Sequence, residues 1–186
     1  MTRIKGSKLS SKLVFVRHAY GEETLERVIN AMSADDRPLI SGVADLRWYP
    51  SDLYERLVQT ICRVAARGDE TVYDRMGAET AEHQLSNIYA AFRRGDLVRT
   101  LKNMVPMHSH MNDPGHMEVD SSRNCECTIT VTEPRSTAVA SCRISRAFYG
   151  RVAELAGAAD VHVTERTCTA LGNDACRFVI EWGAHS

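Results

Sequence analysis

At Asn112-Asp113-Pro114-Gly115 the spacing of apolar residues changes from helical to alternating, so helices and strands must occupy different parts of this chain. Before that turn, Glu22 to Met32 carries Leu25, Val28, Ile29 and Met32 at helical spacing, and Ser33 to Pro38 breaks the pattern. Ser51 is placed to cap a helix with Leu53, Leu57, Ile61 and Val64 on one face and a stop at Gly68. A short turn of helix around Val72 to Met76 is expected to end at Gly77. A long helix from Ala78 to Arg94 then carries Ala81, Leu85, Ile88 and Phe92. Asp96 caps a further helix with Leu97, Leu101 and Met104 inward, and Pro106 weakens its continuation.

After the turn the period is two. Cys125, Cys127, Ile129 and Val131 alternate with polar residues, with Met117 and Val119 on a hairpin partner. Cys142 to Ala156 returns to helical spacing through Ile144, Phe148, Val152 and Leu155, and a hairpin around Gly172 closes the chain. The expected fold class is α+β, with N-terminal helices packed on a C-terminal antiparallel sheet and one intervening helix. Residues 1–12, being polar, are expected to be a flexible N-terminus, and 13–186 a single domain. Trp48 and Trp182 read as core anchors.

The charge balance removes some functions. A net charge of −1 leaves no electrostatic footprint for nucleic acid, and no stretch approaches the roughly 20 apolar residues of a membrane span. Leu13 to Val16 is too short for a signal-peptide core, so the expected location is the cytoplasm, where thiols stay reduced. No Gly-rich phosphate loop and no Ser/His/Asp set is present, which argues against an enzyme.

The chemistry concentrates in the last hairpin. Cys168 and Cys176 lie eight apart about Gly172, so a symmetric hairpin sets them facing one another. Two more potential ligands are Glu165, three residues before Cys168, and Cys142, at the start of the preceding apolar-periodic segment. Three readings stay open for these residues: a metal site, buried thiols, or a cross-strand disulfide. One geometric condition applies to the first. Glu165 and Cys168 face opposite sides of a regular strand and reach one ion only if a bulge or the strand end intervenes. His108 and His110 form a second candidate: they share a side if extended and nearly oppose one another if helical. Neutral imidazoles there suit a metal, haem iron or a pocket wall.

Residues 137–182 resemble the 4-vinyl-reductase domain, found also as the sensory part of aromatic-responsive transcription activators. The likeness rests on Phe148-Tyr149-Gly150-Arg151, on Val161 to Glu165, and on Cys168 to Phe178. The resemblance implies a structural zinc held by Cys142, Glu165, Cys168 and Cys176, and a non-enzymatic sensor for a small apolar or aromatic molecule. The whole chain is similar to a myxobacterial single-domain family of unknown function, through Trp48 to Tyr54, Met76 to Glu79 and Ile88-Tyr89. Both resemble, more distantly, haem-nitric-oxide-binding domains and vesicle-tethering subunits. These likenesses imply a ligand-binding-like domain over 13–186 that signals through a partner chain and pairs as a homodimer. The alternatives are a protein-interaction adaptor without a ligand and a haem-type gas sensor.

Overall fold

The computed structural model describes residues 2–87, 97–132 and 139–183. The opening segment, expected to be flexible, is ordered: strand β1 (Arg3–Lys5) runs into helix α1 (Gly6–Tyr20). Its few apolar residues are well placed. Ile4, Leu9, Phe15 and Val16 are all buried, and Leu9, Lys12 and Val16 fall on one stripe at i, i+3 and i+7. Average polarity hid this stripe because a lysine occupies one of its positions.

Helices α2 (Glu22–Asn30), α3 (Asp36–Ser41) and α4 (Ser51–Val64) pack with α1 around Leu25, Val28, Ile40, Leu53, Leu57 and Ile61. The expected break at Ser33 to Pro38 is in part the first turn of α3, where a proline costs no helical hydrogen bond. Ser51 is the first helical residue of α4 rather than its cap, and its N–H donates to Thr2 O across 3.0 Å. Asp36 is buried and accepts from Arg56 at 2.7 and 2.8 Å, which ties α3 to α4. β2 (Trp48–Pro50) pairs with β1, and β3 (Asn112–Asp113) pairs with its other edge. Trp48 lies at the surface instead of in the core, with Lys5 Nζ 4.0 Å from its ring centre.

Helix α5 (Thr71–Asn87) runs straight through Gly77, where sequence spacing predicts a stop. The glycine serves close approach rather than termination. A Cβ there would fall 2.3 Å from Ile144 O and 2.9 Å from Ala147 Cβ, both on helix α7 (Val139–Leu155). The far end of the predicted 78–94 helix, with Ile88 and Phe92, and the predicted cap Asp96 of the next helix lie outside the described residues. Helix α6 (Leu97–Met111) likewise continues through Pro106. Pro106 and Lys102 are both exposed, so the Lys102 carbonyl left without its helical donor faces water.

The four-stranded sheet has the order β4-β5-β7-β6, antiparallel throughout. β4 (His116–Arg123) and β5 (Glu126–Thr132) pair as expected, with Met117 opposite Val131 and Val119 opposite Ile129. β7 (Cys176–Glu181) inserts between β5 and β6 (His162–Thr167). The inner face carries Met117, Cys127, Ile129, Phe178 and Ile180 against α6 and α7, forming a second core with Leu101, Tyr149 and Val152. Burying each large side chain of this kind stabilises the fold by roughly 1.5–3 kcal/mol. Ile144, on α7, belongs to the first core, so this helix serves both.

Gly77→Ala should lower stability by about 1–3 kcal/mol, because the added methyl forces the α5–α7 contact apart. Gly150→Ala in α7 is the control: its Cβ would meet only Val163 Cγ2, at 3.4 Å. That change should be neutral, or gain up to about 1 kcal/mol of helix propensity. Urea unfolding of both variants checks the pair; equal effects would remove the close-approach account.

Candidate metal centre and ligand cavity

The hairpin of β6 and β7 turns through a single turn of 3-10 helix, Thr169–Leu171, and closes at Gly172 with φ 92°. That left-handed backbone favours glycine. Asn173 holds the knuckle in place: its backbone N–H and its Nδ2 both donate to Cys168 O, at 3.2 and 3.0 Å. The strand register ends with Thr167 opposite Arg177, so the next positions outward are Cys168 and Cys176.

The parity problem at Glu165 is solved by a register shift between Glu165 and Thr167. Glu165 lies opposite Phe178, whose ring is in the core, so its carboxylate starts from the inner face. The irregularity around exposed Arg166 then returns Cys168 to the same face. Cys142, in the first turns of α7, brings a third sulfur. Its Sγ lies 3.2 Å from that of Cys168 and 3.5 Å from that of Cys176. One ligand atom from each of Cys142, Glu165, Cys168 and Cys176 lies within 4.8 Å of all the others.

These separations discriminate between the open readings. A disulfide needs about 2.05 Å between sulfurs, and all six cysteines are free. Tetrahedral bonds of about 2.3 Å to one ion would set sulfurs ~3.8 Å apart, close to what is found. Glu165 Oε1 is buried with no hydrogen-bond partner among the described residues, a costly arrangement unless something else satisfies it. Three buried thiols and an unsatisfied carboxylate oxygen make a donor set that can hold a metal ion.

Cys176 is the most acidic of the three, brought down to about 6. Its sulfur accepts from the Cys142 thiol, against the opposing effect of burial, and the Thr169 N–H and hydroxyl add support at 3.3 Å each. Cys142 is pushed strongly up by its hydrogen bond to Cys176 and by burial, and burial also raises Cys168.

Cys142 and Cys176 also form part of the wall of a cavity of about 240 Å³ between the helices and the sheet. Met104 and His108 of α6, Met117 of β4, Phe148 and Tyr149 of α7 and Phe178 of β7 line its apolar side. His108 therefore sits where ligand contact was expected. His110 does not: α6 remains helical to Met111, which turns His110 away to the surface, and it is absent from the lining.

Sequence reasoning missed the opposite wall, formed by Lys8 and Lys12 of α1 with Thr80 of α5 and Glu55 of α4. The readable signal was a lysine on the Leu9–Val16 stripe. Lys12 is buried and its Nζ donates to Thr80 Oγ1 at 2.5 Å and to Met76 O at 3.4 Å. Burial pulls its pKa from 10.5 to about 7, with Lys8 lowering it further and Glu79 opposing. Lys8 Nζ donates to Asn112 Oδ1 at 2.7 Å, and Glu55 accepts from the Ser141 hydroxyl.

No family model matches the chain, and no curated protein matches it. Solved structures do. One is an H-NOX protein from S. oneidensis in the Fe(II)NO ligation state, with TM-score 0.76, 14% identity, and coverage of 97% of this chain and 100% of that one. Another is an unliganded Fe(II) H-NOX protein from K. algicida, with TM-score 0.70, 11% identity and 98% of each chain covered. A third is an H-NOX domain from Shewanella oneidensis in the Fe(II)CO state, determined by NMR, with TM-score 0.71, 16% identity, and 98% and 100% covered. The fold is that of H-NOX domains. The α+β architecture expected from sequence holds, and the likeness to haem-nitric-oxide-binding domains holds at the level of fold. Among the described residues no helix is long and apolar enough to cross a membrane.

The buried lysine gives a pH signature with a definite sign. Between about 7 and 10.5 the unfolded chain binds a proton at Lys12 that the folded chain has lost. The Lys12 contribution therefore makes the fold more stable as pH rises through that window, and the full penalty applies below it. Lys12→Met should remove that rise and stabilise the protein near pH 6.5 by up to about 4 kcal/mol. Urea unfolding of both proteins across the window measures the difference; parallel curves would contradict the assignment.

Proposed function

We propose that this chain is a non-enzymatic sensory domain. It takes a small apolar or aromatic molecule into the cavity between helices and sheet, and a structural zinc ion on Cys142, Glu165, Cys168 and Cys176 braces one end of that cavity. The carrying observation is that Cys142 and Cys176 belong both to the four-donor cluster and to the cavity wall. A metal there would tie α7 to the terminal hairpin and so set the wall's shape. The sequence resemblance to the 4-vinyl-reductase domain and to the myxobacterial family supports the same reading. Within it, the domain acts as one unit over residues 13–186 and passes its signal to a protein partner or to a second copy in a homodimer.

A second reading, a haem-type gas sensor, is favoured by the H-NOX fold and by the place of His108 on the cavity wall. Neutral imidazole is a suitable axial ligand, and bound haem would supply an iron able to take a diatomic gas. The donor chemistry fits. The volume, about 240 Å³, is below the roughly 300–1,000 Å³ of drug-sized ligand pockets. A small molecule fits the cavity as it stands, whereas haem needs more room than this volume offers.

Native mass spectrometry with elemental analysis, on protein purified without added metal, should report one zinc per chain and a dimer. Cys168→Ser and Cys176→Ser should each lose the zinc and melt earlier, since forming such a site is coupled to folding. A metal-free wild type of unchanged stability, or a species of only 20.7 kDa, would remove the corresponding part of the proposal.

The two ligand readings separate by spectroscopy and melting. For the sensor of small molecules, phenol or indole should raise the melting temperature progressively with concentration, by about 2.7 kcal/mol of stabilisation at 100 times Kd. For the haem sensor, haemin should give a Soret band that His108→Ala abolishes. Haem uptake that ignores His108 counts against the second reading, and no stabilisation by any small aromatic counts against the first.

A further inference from the structure

Lys12 is the most deeply buried charged group on the cavity wall, and among the described residues no ion pair balances it. Its side chain is 2% exposed, and both acceptors it reaches, Thr80 Oγ1 and Met76 O, are neutral. No carboxylate lies within ion-pair distance of it among the described residues. The same fold treats buried Asp36 differently, since it receives two hydrogen bonds from Arg56. An ammonium has three N–H donors, so two acceptors leave one unused. An isolated buried ammonium is strongly disfavoured, and it either gives up its proton or gains an anion. Of the acids near this wall, Asp52 pairs with Arg56 at 2.7 Å, Glu55 accepts from the Ser141 hydroxyl, and Glu79, beyond ion-pair distance of Lys12, lies 3.6 Å from His18. Lys8, one turn back on α1, adds a second cation to the same side.

Opposite the lysines the wall is apolar, with Met104, Met117, Phe148 and Phe178. Taking the cavity as the ligand site, as the proposed function does, we propose that its ligand is a small apolar carboxylic acid whose carboxylate pairs with the Lys12 ammonium. Its hydrocarbon or aryl body lies against the methionines and phenylalanines. The pairing supplies the missing counter-charge and takes the unused donor in a charge-assisted hydrogen bond. A cavity of about 240 Å³ limits the body to a short chain or a single ring.

The test compares 3-phenylpropionate with its uncharged counterpart 3-phenylpropan-1-ol, by calorimetry on the full chain at pH 6.5. Wild type should bind the acid at least tenfold more tightly than the alcohol. Lys12→Met should lose that preference while retaining alcohol binding, with circular dichroism verifying its fold. Should the variant not fold, the wild-type ratio still decides. Equal or weaker binding of the acid by wild type overturns the inference and leaves the ligand cavity standing. A tenfold preference that survives in Lys12→Met also overturns it, placing the acid elsewhere. Binding of neither compound overturns the inference together with the cavity reading on which it rests.

Discussion

The close approach of α5 and α7 at Gly77 is the contact on which both halves of the molecule depend. With hydrogen in place of a methyl, the backbone of α7 lies against α5, and Arg143 and Arg151 of α7 reach Asp74 and Glu82 of α5 at 2.6 and 2.9 Å. The Arg143 pair is half-buried and the Arg151 pair more exposed; both lie at the edge of the contact, and the steric fit at Gly77 sets the spacing. From that position α7 sends Ile144 into the N-terminal helical core, Tyr149 and Val152 into the core beneath the sheet, and Cys142 into the sulfur cluster. Shifting α7 by an ångström would disturb all three, because close-packed interiors do not deform gradually.

Much of this was legible in the sequence because apolar periodicity reports local structure directly. The strands at 117–131, the helix from about 142 and the terminal hairpin follow from it, and so does the facing of Cys168 and Cys176. The need for an irregularity between Glu165 and Cys168 also follows from strand parity, and the register shift is found there. The misses share one cause: residues whose role is set by a distant neighbour. Gly77 looks like a helix stop until Ile144 is set beside it. Pro106 looks like a breaker until it and Lys102, one turn back, are found on the exposed side of the helix. Lys12 made the first twelve residues look disordered because a lysine on an apolar stripe is read as a gap in the stripe.

The cluster and the cavity are adjacent for a topological reason. The metal-ligating candidates sit at the end of the sheet where β6 turns into β7, and α7 begins over the same end. Lys8 and Lys12 approach from the other side because β1, pairing with β3, sets α1 beside the end of α6. The cavity is thus the seam where the helical core meets the sheet core, and Tyr149 and Phe178, 5.3 Å apart between ring centres, close it toward the sheet. A molecule held there touches elements of both cores. That is the arrangement in which occupancy can be transmitted as a change in how α1 and α7 sit on the sheet, provided the two arrangements differ in affinity for it.

Energetics argue that the seam is kept open for use. A space of about 240 Å³ leaves packing contacts unmade along its lining, and such contacts are collectively a large part of what stabilises a core. The residues that could close it are present and flexible, Met104 and Met117 among them, yet the space persists beside a buried amine. A core selected only for stability would carry leucine or methionine at position 12, continuing the stripe of Leu9 and Val16 into the gap. Lysine at that position forgoes this packing and holds a charge out of water. Both costs are offset together by one event, the entry of an apolar molecule with an anionic end.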